Sequence, residues 1–331
     1  MRPVKTLGLL GTGVIGGGWA ARALHCGIDV IAADVNPSME DWIRGAVENA
    51  APALDALTEG MAVPRRGALT FTTDAEAMAE KADFIQENVP ERLDIKQSVL
   101  ATVSRIAGPD VVIASSTSGI QPSDMQDAVV YPERFLVGHP FNPVYLLPLV
   151  ELVGGNGTAP GTIAAAREFY LDLGMHPLAV NREIPGHISD RLQEAMWREI
   201  LHMVAEGEAT TDELDQSIVY GPGMRWAIMG TNMVFHIAGG ESGMRHMLEQ
   251  FGPALEWPWT RLKAPELTDD LIDRMVEGTQ RQAAGRSIRD LERIRDECLV
   301  AMQRVLAKHD MASGATLNAF EARLAARTEP S

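Results

Sequence analysis

The sequence predicts an open α/β domain, a mostly parallel sheet with helices on its faces, followed by a mainly α-helical domain. Three observations predict it. Within the first 34 residues a short apolar run leads into a glycine-rich turn, a helix-like stretch and a second apolar run that ends in an acid. Up to residue 155, apolar runs of strand length recur, each closing on polar or turn residues. Beyond Pro185 and Gly186 the pattern changes to apolar residues spaced three and four apart. At 331 residues the chain exceeds what one core usually organises, so two domains are expected, 1–185 and 186–331.

The first element, "KTLGLL" (5–10), reads as a buried strand, and "GTGVIGGGWAARALHCG" turns on its glycines and becomes helical from Val14. "IDVIAAD" (28–34) is the second strand. Gly11, Gly13 and Gly16 thus lie between a strand and a helix, with Asp34 some 23 positions after Gly11; this context makes the glycines a Rossmann-like dinucleotide fingerprint. Gly11 permits the tight turn, Gly13 lets the backbone approach a pyrophosphate, and Gly16 allows close packing of helix on strand. The first helical residues, Val14 and Ile15, present their N–H groups to the phosphates. Asp34 suits the ribose hydroxyls and repels a 2′-phosphate. No arginine follows in "DVNPS", which favours NAD over NADP.

Residues 37–61 read as an amphipathic helix broken near Pro52, and strands resume at "ALTFT" (68–72) and "ADFIQENV" (82–89). "DVVIASSTSG" (110–119), "FLVGHPFN" (135–142) and "VELVGG" (150–155) extend the sheet. In the second half, 189–207, 211–221 (opening on a cap-like Thr211) and 287–310 read as amphipathic helices.

The composition, 46% hydrophobic and 22% charged, is that of a globular protein, and the formal charge of -16 disfavours nucleic acid and anionic membrane as partners. No apolar run approaches the roughly 20 residues needed to span a bilayer. The N-terminus runs directly into a strand and leaves no room for a cleavable signal, so a cytoplasmic protein is expected. Cys26 and Cys298 lie far apart in helix-like apolar contexts and read as buried free thiols, with no metal spacing.

The ends of the predicted sheet carry Ser118, His139, Asn142 and Glu151, a set suited to oxidising a secondary alcohol. The hydroxyl proton needs a base, and neutral imidazole takes it near neutral pH. Glu151 can accept the other ring N–H, and Ser118 and Asn142 can hydrogen-bond the substrate oxygen. On spacing alone, a structural histidine at 139 remains as good a reading. With Ser118, His139, Asn142 and Glu151 all matched and the His-to-Glu gap of twelve retained, the chain resembles the 3-hydroxyacyl-CoA dehydrogenase family over nearly its whole length. The resemblance implies His139 as general base with Glu151 orienting it, and a helical second domain like the C-terminal domain of 6-phosphogluconate dehydrogenase. Through "VPERLDIK" it also places Glu91 and Lys96 near the nicotinamide end of NAD. One departure is plain: the family's G-F-x-x-N-R motif reads "GHISDR" here, with His187 and with Asp190 where an asparagine is usual.

Coenzyme A carries phosphates, yet residues 36–63 hold Glu40, Asp41, Glu48, Asp55 and Glu59 against Arg44 alone, which is a poor setting for it. The second half instead concentrates aromatics, Trp197, Trp226, Trp257 and Trp259 with Phe235 and Phe251. Aromatic faces attract quaternary ammonium groups, and Phe141 and Tyr145 beside the histidine can complete such a cage. "GPGMRWAIMGTNMVFHIAGGESGMRHM" (221–247) is similar to the same segment in the carnitine-oxidising branch of the superfamily, and more loosely to the L-gulonate dehydrogenase and lambda-crystallin branch. The first of these implies L-carnitine, a small zwitterion, as the substrate. Arg225 is then the expected carboxylate partner, Trp226 and Phe235 are the leading cage residues, and Asp190 joins them in the substrate pocket. The long helix at 287–310 suits either a homodimer interface or packing on its own domain.

Overall fold

Strands in the middle of a parallel sheet are covered on both faces, so they read as continuous apolar runs. In the computed structural model β1 (Thr6–Leu10), β2 (Asp29–Ala33), β3 (Leu69–Thr72), β4 (Phe84–Glu87), β5 (Val112–Ser115) and β6 (Phe135–Pro140) form such a sheet in the order 3-2-1-4-5-6. All these pairings are parallel. β7 (Leu149–Val153) then runs antiparallel to β6, and β8 (His176–Val180) pairs parallel with β7 at the edge. The structure describes residues 3–227, 229–239, 241, 243–262, 266 and 268–328.

The helices of this part are α1 (Val14–His25), α2 (Met39–Leu57), α3 (Ala75–Ala79), α4 (Leu93–Ile106), α5 (Pro122–Gln126) and α6 (Pro160–Asp172). The break expected at Pro52 is absent, and α2 runs through it. Pro52 lies on the exposed face, where the carbonyl that loses its N–H partner is open to solvent, while Ile43, Ala50, Leu54 and Leu57 on the opposite face are buried and anchor the helix. The main core lies between α1, α2, α6 and the sheet, with Trp19, Phe84, Tyr170, Leu7 and Leu9 fully covered.

The chain falls into two compact units, Met1–Asp190 with Asp296–Ser331, and Arg191–Arg295. The expected division is at 185 and 186; in the structure the C-terminal segment packs with the first unit. There α14 (Ala312–Thr328) buries Leu317, Phe320 and Leu324 in the core that holds Phe169 and Tyr170. Arg323 pairs with Asp172 at 2.9 Å. From Asp296 on, the long helix α13 (Ile288–Ala307) also belongs to this unit: Asp296 accepts from the Tyr145 hydroxyl at 2.5 Å, and Gln303 donates to the Leu146 carbonyl at 3.1 Å.

In the second unit, α7 (Ser189–Ala205), α8 (Thr211–Val219) and α12 (Asp269–Ala283) meet through Leu201, Val204, Leu214 and Leu271. α9 (Pro222–Trp226), α10 (Thr231–Ala238) and α11 (Gly243–Phe251) lie between α8 and α12 in sequence. The cap of α8 is Thr210 rather than Thr211, closed reciprocally by Glu213 in a capping box. No helix among the described residues is long and apolar enough to cross a membrane. Both cysteines are free, but only Cys26 is buried, and its burial pushes the thiol up to about 12; Cys298, expected inside, is exposed on α13.

Candidate active site

The antiparallel turn of the sheet after β6 is what makes a site. Its register sets His139 directly opposite Glu151, and directly opposed residues of such a pair project from the same face. His139 Nδ1 and Glu151 Oε2 are 3.0 Å apart. Glu151 is fully buried, and its Oε1 accepts the backbone N–H groups of Ile188 at 3.1 Å and Ser189 at 3.0 Å, where α7 begins. Burial alone would raise the Glu151 carboxyl, but the hydrogen bond from His139 and those from Ser189 and Ile188 hold it below the usual carboxylate range. An ionised Glu151 accepts from Nδ1–H, which leaves the Nε2 lone pair to take a proton.

Around the imidazole stand three further groups. Asp190 Oδ2 lies 3.7 Å from Nε2, the Phe141 ring centroid is 4.9 Å from that of His139, and the His187 ring is 5.4 Å away. His187 is wholly buried with φ +49°, and its Nε2–H donates to the Thr117 carbonyl at 3.2 Å. Burial pushes its titration below the ordinary histidine value, so this ring is neutral.

Next to β6, the loop after β5 brings Ser118 to the same strand ends. Ser118 is exposed, and Glu91 accepts from its backbone N–H at 3.0 Å and from the Thr117 hydroxyl at 2.5 Å. Burial works against ionisation of Glu91, but these bonds and the Lys96 charge bring its carboxyl below the usual range. Lys96 itself does not open toward a cofactor. It is 1% exposed and spends its ammonium on Glu87 Oε1 at 2.9 Å and the Val89 carbonyl at 3.1 Å, with Glu91 at 3.4 Å. Asn142 is exposed just past β6.

At the dinucleotide end, Gly11 has φ +89°, and a Cβ there would meet the Asn88 backbone at 2.8 Å, so only glycine fits. A Cβ on Gly16 would strike the Gly11 carbonyl oxygen. Above Gly13 nothing lies within 4 Å, which leaves the N-terminus of α1, with Val14 and Ile15, open to a phosphate. Asp34 closes β2 and accepts from Thr12 N at 3.0 Å and Thr12 Oγ1 at 2.9 Å, so its carboxylate is fixed beside the turn. The order of the sheet reverses between β1 and β4, the crevice where dinucleotides bind. The residues present fit NAD.

Sequence reasoning missed the polar network under the site. Gln86 donates to the Gly138 carbonyl at 3.1 Å and to Ser116 Oγ at 2.7 Å, and accepts from Tyr170 at 2.6 Å. It thereby fixes β6 next to His139. Arg22, buried on α1, donates to the carbonyls of Val144 and Leu173 at 2.8 and 2.9 Å, tying down the loop after Asn142; desolvation lowers it to about 10. A buried arginine in an apolar helix was the available signal. Tyr145 was expected in a cage but is buried with its hydroxyl on Asp296.

Arg225 and Trp226 sit on α9 and Phe235 on α10, in the second unit. The two aromatics are part exposed, at 40% and 42%. Trp257 and Trp259 meet edge to face at 5.1 Å.

Fold and site together define an NAD-dependent alcohol dehydrogenase, and the chain belongs to the 3-hydroxyacyl-CoA dehydrogenase family. The model of that family's NAD binding domain matches residues 6–184 and that of its C-terminal domain residues 186–284. The chain is similar to an L-carnitine dehydrogenase of Pseudomonas sp, 54% identical over 314 residues that cover 93% of this chain and 97% of the relative. It is 55% identical over 301 residues to an L-carnitine dehydrogenase of Pseudomonas aeruginosa, covering 90% and 93%. Among solved structures it resembles 5-formyl-3-hydroxy-2-methylpyridine 4-carboxylic acid 5-dehydrogenase, an NAD+ dependent dismutase, with a TM-score of 0.77, 29% identity and coverage of 92% and 98%.

Proposed function

We propose that this protein oxidises L-carnitine to 3-dehydrocarnitine with NAD as the oxidant. When bound, NAD supplies the acceptor for the hydride that leaves C3. The protein's part is proton chemistry and placement. Ser118 and Asn142 hydrogen-bond the C3 oxygen, His139 Nε2 removes its proton, and Glu151 stabilises the imidazolium that forms, a role worth about 10²–10⁴ in rate. Glu91 lies toward the nicotinamide end, with Lys96 holding it in place. Phe141, whose ring lies 4.9 Å from that of His139, offers an aromatic face to the trimethylammonium.

The observation that carries this reading is the 3.0 Å contact between His139 and Glu151 on facing strands, in a chain whose full-length relatives are named for carnitine. The acidic run of α2 speaks against a coenzyme A ester. A second copy of the chain covers the second unit, since among the described residues four form its buried apolar cluster while Phe251, Trp257 and Trp259 are at least half exposed; the protein is a homodimer. Two free thiols fit the reducing cytoplasm. NADH formation measured with L-carnitine, L-gulonate and 3-hydroxybutyryl-CoA tests the substrate: carnitine is expected to give the highest kcat/KM, and preference for the CoA ester would overturn the choice.

A further inference from the structure

His139 is held between two carboxylates. Glu151 takes Nδ1 at 3.0 Å, and Asp190 stands 3.7 Å from Nε2; the third titratable neighbour, His187, lies 5.4 Å away between the rings. Nε2 is the atom that must accept the hydroxyl proton, so Asp190 faces the reacting lone pair. A carboxylate oxygen beside an N–H is attracted, whereas beside a nitrogen lone pair it is repelled. With Nδ1–H given to Glu151, the Nε2 lone pair faces the Asp190 carboxylate and the two repel. A cation arriving at Asp190 offsets that repulsion, because it becomes a counter-charge for the carboxylate.

The substrate proposed above carries such a cation on the carbon next to the carbinol carbon, so hydroxyl and trimethylammonium reach the mouth of the site together. We infer that Asp190 is the specificity-determining residue for this cationic group, pairing with the trimethylammonium beside His139 Nε2, the atom that accepts the hydroxyl proton. The inference rests on the carnitine reading. The balance is simple: Nδ1–H stays on Glu151 and the Nε2 lone pair is the acceptor. The substrate O–H bond then breaks, its proton forms the new N–H at Nε2, the C3–H electron pair goes to NAD, and the carbonyl forms.

The test compares the holoenzyme and D190N on L-carnitine and on its neutral isostere 3-hydroxy-5,5-dimethylhexanoate, in which a tert-butyl group replaces trimethylammonium. The wild type is expected to prefer carnitine in kcat/KM by more than about tenfold, and D190N to lose most of that preference through a raised KM for carnitine, with NADH affinity unchanged. An unchanged carnitine-to-isostere ratio in D190N would overturn the inference while leaving the substrate reading intact; no carnitine oxidation by the wild type would instead remove the substrate reading. Should D190N fail to fold, D190S is measured in the same way: loss of the carnitine-to-isostere preference supports the inference, and its retention refutes it.

Discussion

Replacing Glu151 by glutamine separates orientation from charge at almost constant volume. In the wild type, Glu151 Oε1 receives two backbone N–H groups, from Ile188 and Ser189, and Oε2 receives His139 Nδ1–H. A glutamine has one acceptor and one donor end. Its oxygen must stay with the two backbone donors, since an NH2 group there would leave three donors facing one another in a buried site. The amide nitrogen then points at His139 Nδ1 and donates to it, which puts the ring hydrogen on Nε2. That tautomer cannot accept the substrate proton, and the imidazolium also loses a charge-assisted partner worth about 1.5–3 kcal/mol. Together these predict a fall in kcat of about 10³–10⁴, the range found when a base is locked in the wrong tautomer, with KM for NAD unaltered. Steady-state NADH absorbance and NADH binding by fluorescence measure both. A folded E151Q enzyme within tenfold of wild-type kcat would refute the orienting role.

The glycine turn separates binding from folding: Gly13→Val meets open space and should leave the melting temperature within about 2 °C while weakening NADH binding at least tenfold, whereas Gly16→Ala drives a Cβ into the Gly11 carbonyl oxygen and should cost about 1–3 kcal/mol in urea unfolding. Lys96→Met leaves Glu87, fully buried and already raised by its burial, without its counter-charge; we expect a loss of about 3–5 kcal/mol, and a loss below 1 would show the pair to be dispensable. Burial lowers His25 to about 4 and lowers His187 as well. Below about pH 6.5 the unfolded chain therefore binds protons that the folded chain refuses. Stability is full above that pH and should fall by about 1 kcal/mol or more per unit on acidification, as denaturation at pH 7.5, 6 and 5 will show.

Much of the fold was legible because parallel strands announce themselves as apolar runs and the glycine turn has steric reasons that survive in any context. β1 through β7 lie where the apolar runs put them. β8 was not legible: its five residues begin His176-Pro177 and alternate poorly in burial, and only its place at the edge, where one side of the strand needs no partner, makes the proline harmless. The return of α14 to the first unit was equally hidden, since amphipathicity says that a helix has a buried face and not which core receives it. At the site, the gap between His139 and Glu151 was visible as a number, but its meaning comes from the antiparallel register that sets them opposite. The aromatic cage was read from composition, and Tyr145 shows the limit of that reading: a ring close in sequence to the base is turned into the core by Asp296. For Lys96, expected near the nicotinamide end, spacing did not show its burial or its hydrogen bonds to Glu87 and the Val89 carbonyl.

The most direct measurement of the central claim is single-turnover NADH formation from L-carnitine by His139→Ala, in protein whose thermal unfolding and NADH affinity match the wild type. Proton removal by the imidazole predicts a rate at least about 10³-fold lower, partly restored by added imidazole. A variant that is folded, binds NADH normally and turns over at the wild-type rate would contradict it.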